Sequence, residues 1–302
     1  MKRWGKRIGL GLLALVAVVF LVGGTYAYVE ASAYDASVDK VYDVAPLPLA
    51  RSTDAEVIAR GKHLAMSLAG CGLNDCHGPD LGGGRVTEAG PVGTMVAPNI
   101  TAILPAYSDG ELARLIRHGL KKDGRTVRFM SVNEFNWLSD ADVVAVLSFV
   151  RSVPPVVRET GTTNIKTFGK VLDRKGLIPI DIARTINHSK IEVGPPPSPT
   201  AEYGRWIARL CTGCHGEHMS GGPIPGTPPD FPVPLNITPH ETGLKGWTYE
   251  DFEKIAMTGT RKNGKKLADF MPIEAIRNMD DIERRALWAH LQSLPPVAFG
   301  GR

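Results

Sequence analysis

Residues 8–29 carry no charge and are mostly Leu, Val, Ala, Gly and Ile, and four cations, Lys2, Arg3, Lys6 and Arg7, precede them. An apolar run of 22 residues predicts a helix long enough to cross a hydrocarbon core, with its basic end kept in the cytoplasm. Ala31, Ser32 and Ala33 would suit a signal peptidase, but they lie behind Glu30 at the far end of the run. The segment reads as an uncleaved anchor in preference to a cleaved leader, and on either reading the body of the chain is exported.

Past residue 51 the apolar positions recur at helical spacing in short blocks broken by glycine and proline. Helices are predicted over 56–65 and 202–208. Ser108 with Glu111 and Thr248 with Asp251 form capping-box starts, with Tyr107/Leu112 and Trp247/Phe252 as the hydrophobic staples across them. Gly119 and Gly259 mark left-handed helix stops. The last helices begin near Ser139 and Asp280 and end before Pro154 and Pro295, because proline cannot continue a helix. No stretch alternates with the strand period, so an all-α fold without a sheet is expected.

These blocks are one unit written twice. Ser152 and Ser293, and Met130 and Met271, are each 141 residues apart. Glycine loops at 82–84 and 221–222 are followed by Pro98-Asn99-Ile100-Thr101 and by Pro234 ahead of Asn236-Ile237-Thr238. Such self-similarity marks an internal duplication. The predicted organisation is a membrane anchor or signal segment at 1–29, a linker at 30–51, a first domain at 52–157, a connector at 158–199 and a second domain at 200–302. The connector ends in a stiff polyproline tether at 194–199. Its Phe168, Val171, Leu172, Leu177, Ile178 and Ile180 are too apolar for a free linker and are expected to lie across the two domains.

Charge narrows the class. The net formal charge is +4, yet removing the four cations ahead of the apolar run leaves 31 Lys and Arg against 31 Asp and Glu. Nothing in that balance suggests a nucleic-acid binder. Residues 114–128 hold Arg114, Arg117, Lys121, Lys122, Arg125 and Arg128 against Asp123 alone, echoed by Arg261, Lys262, Lys265 and Lys266. Two readings stand side by side: electrostatic steering of an acidic partner, and charge balance for the acidic groups of a bound cofactor together with ordinary solvated helix ends.

The chemistry is carried by four cysteines, all used in two motifs: Cys71 and Cys76 before His77, and Cys211 and Cys214 before His215. The second has the C-x-x-C-H spacing of a covalently attached c-type haem, whose vinyl groups take the thiols and whose iron takes the histidine. The first has four intervening residues and is a wider variant. A zinc site would need a second Cys/His pair at zinc-finger spacing, which is missing. Two covalently bound haem c groups are therefore expected. Met130 and Met271 follow their histidines by 53 and 56 residues at equivalent repeat positions, which makes them the expected distal iron ligands opposite His77 and His215. Met66, Met95, Met219, Met257 and Met279 lack counterparts and are expected to pack. His118 is expected to be structural or on the surface, and His290 to take the aromatic packing place of Phe149. His63, His188, His218 and His240 carry no signal. Asn99 and Asn236 head glycosylation sequons, but their repeated location points to a structural turn.

At these residues the chain resembles the class I cytochrome c family, twice over. More narrowly it is similar to the multihaem cytochrome c subunits of membrane-bound bacterial alcohol and gluconate dehydrogenases. The resemblance rests on Cys-His-Gly, the Asn-Ile-Thr turn, Phe270-Met271-Pro272 and the Ser-x-Pro-Pro helix stop, over about 52–156 and 200–297. It implies two tandem all-α haem domains behind a transmembrane helix, with low-spin His/Met iron and no chemistry beyond one-electron transfer. It also places Gly61 and Gly204 where the first helix of each domain is crossed by the last. Those relatives carry three haem domains, so their partnership is not simply inherited. The expected function is a membrane-tethered dihaem cytochrome in the bacterial inner membrane, with its haem domains in the periplasm. It would pass electrons from a dehydrogenase or quinol-oxidising complex to an oxidase or another cytochrome, and would not be an enzyme. The alternative is a dihaem peroxidase, which would need one iron without a methionine.

Overall fold

The computed structural model describes residues 2–225 and 227–302, the side chains of residues 2–6 and 8 excepted. The cationic side chains of Lys2, Arg3 and Lys6 thus lie outside the described residues. The chain is mostly helical, 45% helix against 5% strand.

Helix α1, Lys2–Asp39, continues well past the apolar run. Its run from Leu10 to Val29 is largely exposed, and its last turns are not the linker expected at 30–51. There the helix turns amphipathic and docks on the body. Tyr34 is fully buried, and Lys170 Nζ lies 2.7 Å from both carboxylate oxygens of Asp35. Ser37 Oγ donates to Asp181 at 2.6 Å. Residues 40–51 then run along the first unit, where Tyr42 N–H donates to Gly124 O and Leu47 N–H to Gly110 O.

The first unit holds α2 (Ala55–Met66), α3 (Ile100–Ile103), α4 (Asp109–His118), α5 (Val132–Phe135) and α6 (Asp140–Ser152). After α7 (Thr167–Arg174) in the connector, the second unit holds α8 (Ala201–Ile207), α9 (Arg209–His215), α10 (Tyr249–Thr258), α11 (Ile273–Asn278) and α12 (Asp281–Ser293). Both capping boxes form, at Ser108/Glu111 and Thr248/Asp251, and Gly119 and Gly259 close α4 and α10 at φ 65° and 62°. Ser139 and Asp280 cap α6 and α12. The first helix of each unit crosses the last at a glycine: a Cβ on Gly61 would overlap the Ala145 carbonyl, and one on Gly204 the Ala286 carbonyl. His290 indeed stands where Phe149 stands, against that glycine.

A small antiparallel sheet corrects the expectation of none. Its strands are β1 (Val86–Glu88), β2 (Gly93–Val96) and β3 (Asn164–Ile165), in that order. With three, four and two residues, these strands are too short to show a period in the sequence. Because β3 belongs to the connector, that segment is built into the first unit and into α1. Tyr34, Val92, Met95, Ile165, Leu172 and Ile180 form a second, smaller core there. The main core runs without a break through both units, from Leu64 and Leu147 to Leu287 and Leu291. At the seam Trp137 packs on Trp206, with ring centroids 5.9 Å apart. Burial of aromatic area at such a seam makes it rigid, whereas a polar one would let the domains move.

Candidate functional site

Each Cys/His motif reaches the same backbone frame by a different local route. In the second unit α9 itself carries Cys211, Cys214 and His215. In the first, the wider motif is a succession of turns, with Cys76 N–H donating to Leu73 O and His77 N–H to Cys71 O. Both end alike. His77 Nδ1 lies 2.9 Å from the Pro98 carbonyl, and His215 Nδ1 lies 2.7 Å from that of Leu235. A carbonyl can only accept, so Nδ1 carries the proton in each ring and Nε2 keeps its lone pair. Neither Nε2 has a hydrogen-bond partner among the described residues. The carbonyl of the residue just before the asparagine serves in both halves, so Pro98 corresponds to Leu235 and not, as the sequence suggested, to Pro234.

The glycine loops secure that frame. Gly83 N–H donates to His77 O and Gly221 N–H to His215 O, each at 2.9 Å. Both glycines lie in the left-handed region, at φ 66° and 70°, and a Cβ on either would overlap the facing backbone of Pro98 or Pro234. Only glycine serves there. The Asn-Ile-Thr turns are buried and tied to the ends of the last helices. Asn99 Nδ2 donates to Val156 O at 2.8 Å and Asn236 Nδ2 to Val297 O at 2.7 Å, while Thr101 and Thr238 accept from the Val156 and Val297 amides. The two repeated motifs are thus halves of one joint, and burial closes both asparagines to glycosylation.

None of the four thiols is in a disulfide. Burial pushes Cys71 and Cys211 up to about 12 and Cys76 up to about 11, and raises Cys214. They stay protonated and apolar. Burial also lowers both histidines, so each imidazole is neutral, as a metal ligand must be. This donor set, two unpaired thiols beside an imidazole whose Nε2 is free, is the one a covalently attached haem requires.

The methionine loops match in backbone: Val132 N–H donates to Met130 O and Ile273 N–H to Met271 O, both at 2.7 Å. Met130 packs on the main core together with Cys71 and Cys211, and Met271 is half-buried. The second loop has one residue more, counted from Val127 and Leu267, whose amides bond to the stop glycines Gly119 and Gly259. Met95, Met219 and Met279 are buried packing residues, as expected, whereas Met257 is exposed on α10 and does not pack.

Much of the basic segment is structural. Arg114 is buried and donates to Val44 O and Lys121 O, and buried Arg117 donates to Asn136 O and Leu138 O. His118 is buried 3.2 Å from His188, and burial, then His188, lowers it to about 4. Sequence reasoning missed Arg158 and Arg302, which donate to Gly83 O and Gly222 O at the glycine loops. It also missed Glu134 and Glu274, an acid repeated just after each methionine.

No family model matches the chain. It is 35% identical over 103 residues to a nicotinate dehydrogenase component of Pseudomonas putida, covering 32% of this chain and 9% of that protein. It is 34% identical over 103 residues to the gluconate 2-dehydrogenase cytochrome c subunit of Pantoea cypripedii, covering 32% of this chain and 23% of that one. Over 279 residues, 84% of this chain and 56% of the relative, it is 21% identical to the fructose dehydrogenase cytochrome subunit of Gluconobacter japonicus. Its curated relatives include cytochrome c subunits of dehydrogenases. The matched segments thus span less than a quarter of the first two and about half of the third. A cytochrome c subunit implies covalently bound haem, which the four unpaired thiols and the two neutral imidazoles fit.

Proposed function

We propose that the chain is a membrane-tethered dihaem c-type cytochrome that relays single electrons from a dehydrogenase or a quinol-oxidising complex to an oxidase or another cytochrome. The observation that carries this reading is the repeated frame itself: two thiol pairs, each with a histidine whose Nδ1 is held by a backbone carbonyl. Cys71 and Cys76, and Cys211 and Cys214, would hold the two groups covalently. His77 and His215 would be the proximal ligands, Met130 and Met271 the distal ones. When bound, haem supplies a reversible one-electron couple, and thioether ligation favours its ferrous form.

The chain's own residues do the rest. The Pro98 and Leu235 carbonyls fix the ring orientation and tautomer of the histidines. The Asn-Ile-Thr joints and glycine crossings hold the loops around each site. The continuous core fixes the two sites relative to one another. The exposed apolar run of α1 supports an anchor in the inner membrane with the body in the periplasm, and Glu30, 2.7 Å from Lys175, supports retention of the segment ahead of Ala33. Matching methionine loops support the relay over a dihaem peroxidase.

Pyridine-haemochrome quantitation with an optical spectrum tests the proposal. Two covalent haems per chain, both low-spin, are expected. One haem per chain would overturn it, and two haems with one iron high-spin would overturn it in favour of the peroxidase reading.

A further inference from the structure

The acids that follow the two methionines cross the seam in both directions. Glu274 on α11 of the second unit accepts from Asn74 Nδ2, within the Cys71–Cys76 loop of the first, at 3.2 and 3.1 Å. Glu134 on α5 of the first unit lies against the turn between Cys211 and Cys214 of the second, where a Cβ on Gly213 would stand 3.7 Å from its Oε1. The exchange is reciprocal, but its two arms are unequal. Glu274 is met by an amide side chain. Among the described residues Glu134 has only Ser131, on its own loop, as a side-chain partner.

The groups facing Glu134 can be named element by element. From α9 come Arg209 and the Cys211 and Cys214 thiols; around Arg209 stand Arg205, on α8, and Glu192 of the connector. From the first unit's own loop comes Cys76, which also faces Asp75 and Glu274. One cation thus faces Glu134 directly, and burial outweighs it, raising the carboxyl to about 8. An ordinary surface glutamate would be ionised at neutral pH.

Resting on the dihaem reading, we propose that Glu134 is a tuning residue supplied by the first unit to the second: its carboxyl, held across the seam at the Cys211–Cys214 turn, couples the reduction potential there to pH. The step balances. On oxidation one electron leaves to the one-electron acceptor, and Glu134 releases one proton to solvent; on reduction both return. A carboxylate beside the site favours the oxidised form, so the potential falls as pH rises and Glu134 ionises.

Spectroelectrochemical titration of the full, haem-loaded chain between pH 6 and pH 10 (a window chosen to bracket the raised carboxyl) tests this. One of the two steps is expected to fall with pH in the wild type. Glu134→Gln flattens that step, Glu134→Asp restores the slope, and Glu274→Gln leaves it unchanged. In a Met130→His background the other step moves and the pH-sensitive one stays, which assigns it to the second unit. The proposal is overturned by a slope that survives Glu134→Gln, by a flattening that Glu274→Gln reproduces, or by movement of the pH-sensitive step with Met130→His. Failure of the dihaem reading would show differently, as a wild-type chain with fewer than two covalent haems before any titration.

Discussion

Glu283 on α12 sets both carboxylate oxygens 2.9 Å from Nε2 of His63 on α2, so that one buried acid clasps the two units together. The same side chain accepts from the Asp280 amide at 3.1 Å, and Arg60 lies 3.5 Å from it. A residue that caps its own helix is therefore also the anchor of the neighbouring unit. His63, which showed no signal in the sequence, is its partner.

The hydrogen bond to Glu283, set against burial, raises His63 above its ordinary value. Its stabilising contribution is complete below the unfolded value of about 6.5 and is lost as pH rises through the higher folded value. The wild-type melting temperature is expected to fall over that range relative to His63→Gln. At pH 6 the substitution should cost about 1–3 kcal/mol, the scale for leaving a buried charge short of a partner. Calorimetric melting of both proteins across pH checks the sign, and a difference that grows with pH would refute it.

Gly61→Ala would drive a methyl group into the Ala145 carbonyl, a backbone atom that cannot swing aside. Overpacking against backbone should cost at least the usual ~1–3 kcal/mol and separate α2 from α6. Gly204→Ala should do the same at Ala286 in the second unit. Denaturant unfolding of the two variants measures both.

Asn236→Ala removes the donor to Val297 O and the acceptor of the Thr238 hydroxyl at a wholly enclosed joint. A loss of about 1–3 kcal/mol is expected. If His215 is the iron ligand proposed above, slower histidine-to-iron rebinding after acid exposure should accompany it, read by stopped-flow absorbance, because the same turn presents the Leu235 carbonyl to His215.

Tyr34 fills the second core with its ring, while its hydroxyl is buried without a partner among the described residues. Tyr34→Phe should therefore be neutral or stabilising, since the removed group has lost its water and gained nothing. Tyr34→Ala should cost about 3–5 kcal/mol, the scale for emptying an aromatic site. It should also free α1 from α7. Limited proteolysis near residue 40, measured in detergent for both variants, separates these outcomes.

The sequence by itself determined what depends on local rules and repetition. Caps at Ser108, Thr248, Ser139 and Asp280, left-handed stops at Gly119 and Gly259, the proline ends and the two Cys/His motifs all act within a few residues of themselves. Writing them twice exposed Met130 and Met271 as equivalent points. Tertiary structure alone decided what joins distant segments. Nothing local ties Asn99 to Val156, Glu283 to His63, or Glu134 to the Cys211–Cys214 turn, because hydrogen bonding and burial at a seam depend on which surfaces meet. The three short strands and the docking of α1 were hidden for the same reason. A strand of two residues has no period to read, and a helix that runs past its apolar stretch and becomes a wall of the body shows in its sequence only a few charges that await their partners.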